Sequence, residues 1–272
     1  MAIITVSRQI ASLGDEISRK IAERLGYKFF GKAELEKRIV ELGFPEAKLA
    51  KFDEKRLGFF AGLTRVRDEY LNYLMTAILE AAAENNCVIV GRGSFIILKD
   101  LKNHISCRFI ADEPVRTERL QSELKCNARD ALKKISESEA QQKKFHKDFF
   151  NFDLHDPAMF DFIGNTSKLD ADSISSSVIT LAKEYVTPQK DAAGQKKIEE
   201  LLIGQRIVDI LIFLYNIEIS YLRTSIEGKK LTLHGIAGSQ KDVDCAVTVV
   251  EAELPGYEVK SAISVNHDFK AY

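Results

Sequence analysis

Apolar positions along this chain switch repeatedly between a strand period and a helix period. Ile3-Ile-Thr-Val-Ser7 is short, β-branched and apolar, which predicts a buried strand. After a turn, Ile17, Ile21, Ala22 and Leu25 share one face of a helix from about Asp15 to Leu25, closed by Gly26. Leu71, Leu74, Ile78 and Ala81 mark a long helix from about Arg65 to Glu84, and Cys87-Val-Ile-Val90 is a second buried strand. A third strand, about Ile105 to Ile110, leads into a helix near Glu113-Pro114, with proline early in the helix as its fixed φ favours. Charged helices cover about Ala128 to Asp148, a strand covers about Met159 to Ile163, and a helix covers Asp170 to Tyr185. Strands alternating with helices predict an α/β fold: a three-layer parallel sheet covered on both faces.

The pattern changes after Val186. Val186 to Lys196 carries Pro188 and Gly194 with little apolar content and reads as a linker. Beyond it come a helix from about Ile198 to Tyr215, strands at about Ile217 to Ile226 and Lys230 to His234 joined at Glu227-Gly228, a helix from Gln240 to Glu253, and a strand from Glu258 to Val265. The expected division is therefore residues 1–186, a linker at 187–196, and a small α+β unit at 197–272.

Composition narrows the functional classes. A chain of 272 residues with 45% hydrophobic and 29% charged positions has enough apolar content for packed cores. A net charge of −1 argues against a nucleic-acid partner but leaves room for a local basic pocket. Cys87, Cys107, Cys126 and Cys245 are scattered, as buried free thiols of a reducing compartment would be. His104, His146, His155, His234 and His267 lack metal-ligand spacing. The start of the chain has no signal-peptide pattern, and the run Ile207 to Ile219 is broken by Asp209, Asn216 and Glu218, so the expectation is a cytoplasmic protein without a membrane span.

A strand, a tight loop and a helix N-terminus together form a phosphate cradle, because backbone N–H groups and the helix dipole converge on the anion. A Walker A loop reads G-x-x-x-x-G-K-[ST], in which lysine holds the outer phosphates and the hydroxyl binds magnesium. The frame Gln9 to Glu16 (QIASLGDE) retains Gly14, with Asp15 in place of the lysine and Glu16 in place of the hydroxyl.

The wider run ITVSRQIASLGDEISRKIAERLGYKFF resembles the opening of the cytidylate kinase-like family, where Ser-Arg-Gln/Glu leads into Gly-Ser-Gly-Gly-Arg/Lys-Glu. Against that pattern Ala11 and Leu13 replace glycines, and Asp15 replaces the basic residue. A left-handed position filled by Leu13 costs about 1–2 kcal/mol unless the loop takes another path. At about 4 Å and an effective dielectric of ~20, each unit-charge interaction is on the order of 4 kcal/mol before screening, so exchanging a cation for a carboxylate works strongly against phosphate. Val88-Ile-Val-Gly-Arg-Gly93, Ile110-Ala-Asp-Glu-Pro-Val-Arg-Thr-Glu-Arg119 and Phe160-Asp-Phe-Ile-Gly-Asn-Thr166 also resemble family segments. In the helix Ile135 to Phe145, Glu139, Ala140 and Gln142 stand where the family's lid has Asp, Lys and Arg.

The resemblance, which spans about Ala2 to Tyr185, implies a P-loop kinase fold and phosphoryl transfer from ATP with Mg²⁺ to a nucleoside monophosphate such as CMP. Arg8, Ser12, Gly14, Asp15 and Glu16 would line the donor site. Arg92 would grip the acceptor phosphate, or form an ion pair under the sheet. Arg116 and Arg119 would face the transferring phosphoryl group, or form salt bridges with Glu113 and Glu118 on a solvated helix. The altered loop and lid equally fit a pseudokinase that senses nucleotide or assembles with a protein partner. Thr224 to Gly238 and Pro255-Gly-Tyr257 resemble a BON-type domain, which implies binding or assembly by the C-terminal unit.

Overall fold

The computed structural model describes residues 2–49, 64–154 and 156–266; His155 and His267 lie outside them. The order is β1 (Ile3–Arg8), α1 (Gly14–Leu25), β2 (Lys28–Phe30), α2 (Lys32–Glu41), α3 (Glu46–Leu49), α4 (Thr64–Ala83), β3 (Cys87–Val90), α5 (Ser94–Ile97), β4 (His104–Ile110), α6 (Glu113–Leu124), α7 (Ala128–Phe150), β5 (Phe162–Asn165) and α8 (Ala171–Tyr185). It continues with α9 (Pro188–Asp209), β6 (Ile219–Glu227), β7 (Lys230–Ala237), α10 (Gln240–Glu253) and β8 (Glu258–Val265).

The first five strands form one parallel sheet in the order β2-β3-β1-β4-β5, as the alternation of periods predicts. Because side chains alternate along a strand, Ile4 and Val6 of β1 pack with α1 and α8 on one face. Ile3 packs with α2 and α4 on the other. The second face also carries polar side chains, which satisfy one another. Thr5 Oγ1 and His104 Nε2 share a hydrogen bond of 2.7 Å, and Ser106 Oγ donates to Asp161 Oδ2 at 2.9 Å. Burial pushes the His104 imidazole down to about 4, so it stays neutral in the fold. Burial likewise pushes the Cys87 thiol up to about 12, which makes it a packing residue rather than a nucleophile.

The segment expected as a linker is instead the first half of α9. Thr187 caps the helix by accepting from the Lys190 N–H at 3.3 Å, and Pro188 occupies the first turn, where its missing N–H costs nothing. Gly194 marks a close approach and not a flexible joint: a Cβ there would overlap the amide of Asn103. Asp191 Oδ1 accepts from Asn85 Nδ2 at 3.1 Å and from Asn103 Nδ2 at 3.2 Å, and Ile198 enters the core with Leu74 and Ile78. The pattern misleads here because capping and close-packing residues are the same types that punctuate loops. Gly194→Val is expected to destabilise the protein by about 2 kcal/mol, the scale of overpacking a filled site, read as an earlier thermal unfolding midpoint.

The other half of α9 belongs to the small unit. Ile207 packs with Leu231, Leu233 and Val250 under a sheet ordered β6-β7-β8. β6 and β7 are antiparallel across Glu227-Gly228, while β7 and β8 are parallel with α10 as the crossover. The α-helix ends at Asp209, followed by a wider π turn at Ile210–Leu214, where the sequence pattern predicts helix to Tyr215.

Between the units, Asp209 accepts from Thr76 Oγ1 at 2.8 Å and from Gln205 Nε2 at 3.0 Å. Burial pushes its carboxyl up to about 6 from an ordinary 3.8. Between those values the folded chain binds more protons than the unfolded one, so this group's contribution to stability falls as pH rises. Asp209→Asn is therefore expected to be near neutral in effect at pH ~4 and stabilising by on the order of 2 kcal/mol at pH ~7, measured by denaturant unfolding at both.

Candidate functional site

The cradle forms where β1 ends. The Gln9 N–H donates to Phe109 O at 3.0 Å, and residues 9–13 then turn into α1. Ala11 (φ 59°) and Leu13 (φ 57°) both sit in the left-handed region, so the loop keeps the path that favours glycine and carries the strain. Gly14 is required by close approach, because a Cβ would overlap the Cβ and Cγ of Arg8. Ser12 is fully buried and its Oγ donates to Gln9 O at 2.8 Å, so the hydroxyl hydrogen is used within the loop.

Charges at the mouth neutralise each other. Arg8 Nε donates to Asp15 Oδ1 at 3.0 Å, and Nη2 reaches Oδ2 at 3.5 Å. Glu16 pairs along the helix with Lys20 at 3.8 Å. A magnesium-bound triphosphate needs uncommitted cationic and hydroxyl groups at these positions. Arg8 is paired, and Asp15 and Glu16 stand at the lysine and hydroxyl positions, so the side chains do not match that motif.

The arginines do not converge on one point. Arg92 is 3% exposed, has φ 56° and donates from Nη2 to Glu36 Oε1 on α2 at 2.7 Å. It lies with Arg8, Gln142 and His146 around a cavity of about 10 Å³, room for roughly one water. Arg116 donates from Nη1 to Glu139 Oε1 at 2.8 Å, while its buried Nε has no partner. Arg119 has a different set of partners. Its Nη1 donates to Ala11 O at 3.0 Å and Thr166 Oγ1 at 2.8 Å, and its Nη2 donates to Thr166 O at 2.7 Å. Three-residue spacing places Arg116 and Arg119 on one side of α6, yet one reaches the lid helix and the other braces the loop.

Helix α7, which covers the segment resembling the family's lid, is hydrogen-bonded onto the loop. Glu139 Oε1 accepts from Gln9 Nε2 at 3.3 Å as well as from Arg116, and Gln142 Nε2 donates to Arg8 O at 3.3 Å. Phe145 and Phe149, with ring centroids 4.7 Å apart, anchor the far end of α7 in the core. The aromatic run after Gln142 therefore serves packing.

Sequence reasoning missed Arg108. It is 8% exposed, and its Nη1 donates to Ser7 Oγ at 3.2 Å. The signal was available: a cation within the buried, mostly apolar strand run Ile105–Ile110 has to be accounted for. Glu36, the partner of Arg92, had no such signal, since it sits in an ordinary charged helix.

No helix among the described residues is long and apolar enough to cross a membrane. The chain is 29% identical over 199 residues to a cytidylate kinase of Pyrococcus horikoshii, covering 72% of this chain and 96% of the relative. It is 34% identical over 111 residues to a cytidylate kinase of Methanocaldococcus jannaschii, covering 39% and 62%. Among solved structures, an uncharacterized protein from Eubacterium ventriosum superposes with a TM-score of 0.55 at 22% identity, covering 67% of this chain and 98% of that one, which speaks for the fold alone. The pattern of the cytidylate kinase-like family matches residues 3–168, over the sheet, the loop and the lid described above. On that match the chain belongs to the cytidylate kinase-like family.

Proposed function

We propose that this protein is a nucleoside monophosphate-binding member of its family in which ATP-dependent phosphoryl transfer is lost or strongly reduced. The observation that carries the reading is the Arg8–Asp15 ion pair at 3.0 Å across the mouth of the loop. It places a carboxylate where a donor phosphate would need a cation, and it occupies the nearest arginine. The acceptor side is better preserved: Arg92 projects from the end of β3 beside Arg8, and opening its bond to Glu36 would present a planar fork to a phosphate. The test is a coupled assay with ATP, Mg²⁺ and CMP, alongside calorimetric titration of CMP. CMP binding without turnover supports the reading, and turnover at ordinary kinase rates overturns it.

The second reading is a working kinase, favoured by the left-handed backbone at Ala11 and Leu13, which keeps the cradle's shape. In that case Arg8 would leave Asp15 on ATP binding, and Arg116 and Glu139 would separate as the lid moved.

We read the small unit as BON-type, supported by its helix–strand–strand–helix–strand order, and as an assembly module. Because Ile198 is part of the kinase-like core, removal of the unit has to begin after Asp209 and not after Val186. Light scattering on the intact and shortened chains tests self-association; equal numbers of chains per particle would reject it.

A further inference from the structure

A second cleft, on the β4–β5 side of the loop, holds a charge that the site above leaves unused. Arg108 projects from β4 onto the polar face of the sheet, beside Ser7 in register. Its guanidinium lies 5.4 Å from the centroid of the Phe160 ring. The hydrogen bond to neutral Ser7 leaves most of its five N–H donors uncommitted, and among the described residues no carboxylate forms a salt bridge with it. Arg92 and Arg116, the other two arginines buried to this degree among the described residues, each have a glutamate. Burying a cation that has no bonded carboxylate is costly and depresses its affinity for the proton, while Glu139 acts on Arg108 electrostatically without bonding to it.

Arg108 lines a cleft of about 360 Å³, within the usual range of small-molecule sites. Ile110, Leu154, Pro157 and Ile163 form its apolar walls. Asp112 and Asp156 line the same cleft; Asp156 Oδ1 accepts the Ala158 N–H at 2.9 Å, and both residues are exposed. A buried guanidinium therefore shares a part-apolar slot with two solvated carboxylates. We propose that this cleft binds a small, flat organic anion bearing an amino group. Its carboxylate or phosphate would be held by the Arg108 fork, its body by the apolar walls and its amine by Asp112 and Asp156. The rim carboxylates select against anions without a donor at the far end. Nothing in this assignment depends on phosphoryl transfer. Gln9 lines the cleft and also bonds Glu139 of the lid, so a ligand here would touch the root of the loop.

The test titrates the intact protein with p-aminobenzoate and p-aminophenyl phosphate, which distinguish a carboxylate from a phosphate head, and with benzoate and phenyl phosphate as amine-free controls. Saturable binding of at least one amino probe is expected, weaker by about tenfold or more without the amine and in Arg108→Gln. Ile163→Trp leaves the charge in place and fills the slot from a position 41% exposed, so it should weaken binding equally even if Arg108→Gln fails to fold. No saturable binding of either amino probe, binding unchanged in Ile163→Trp, or displacement of the probe by CMP would overturn the proposal.

Discussion

Asp15→Lys is expected to tighten binding of magnesium-ATP at least tenfold, read by calorimetric titration beside the unaltered protein. The substitution acts twice: it removes a carboxylate from the mouth of the cradle and releases Arg8, which Asp15 holds at 3.0 Å. Each unit-charge change near phosphate is on the order of 4 kcal/mol at an effective dielectric of ~20, but Asp15 is 61% exposed, so solvent and salt screen most of it. A remaining ~1.4 kcal/mol already gives a factor of ten. Asp15→Asn should fall between the two, since it removes the repulsion without adding a cation. If both variants bind as the parent does, the mouth charge is not what limits the donor site. The strained backbone at Ala11 and Leu13 would then be the next cause to examine.

Arg119→Met is expected to cost about 2–4 kcal/mol of folding stability, measured by urea unfolding with near-ultraviolet dichroism. It deletes three charge-assisted hydrogen bonds and leaves the carbonyls of Ala11 and Thr166 without this donor. Arg119→Lys keeps the charge but cannot span both carbonyls, so it should recover less than half of the loss. This separates two roles that the sequence leaves open. A brace for the loop loses stability in Arg119→Met, whereas a ligand of the transferring phosphoryl would lose nucleotide affinity with stability nearly intact. The geometry, with every observed bond made to the protein's own backbone or to Thr166, favours the brace.

Much of the architecture was legible because its signals are local. The runs Ile3–Val6 and Cys87–Val90 declare buried strands by β-branching, and they pair in register as Ile3 with Cys87 and Val6 with Val90. The small unit's α10 and β8 begin and end where periodicity and the turn at Pro255-Gly256 place them. The segment 187–196 was misread for an equally local reason. Thr187, Pro188 and Gly194 are loop formers by composition, and their roles as cap, first-turn residue and contact point exist only once Asn103 and α4 are brought against them.

Candidate chemistry was legible in kind but not in connection. Asp15, Arg8, Arg92, Arg116 and Arg119 stood out as charged candidates for a phosphate site, and Glu139 as a departure from the resembled pattern. Their pairings join positions far apart in the chain: Arg92 with Glu36, Arg116 with Glu139, Arg119 with Ala11 and Thr166. No spacing rule within one helix reaches across such separations, so i,i+3 placement of Arg116 and Arg119 carried no sign that one pairs with Glu139 and the other with Ala11 and Thr166.

The sequence by itself determined the parallel sheet, the loop at the end of its first strand, the family, and the carboxylate of Asp15 at the start of the following helix, because each is written in neighbouring residues. Tertiary structure alone decided that one helix serves both cores, that Ala11 and Leu13 take left-handed backbone, and that Arg108 is buried with a serine rather than a carboxylate as its bonded partner. Those outcomes depend on which distant groups share a desolvated space, where the cost of an unpaired charge or a missing Cβ is felt, and sequence neighbours carry no record of it.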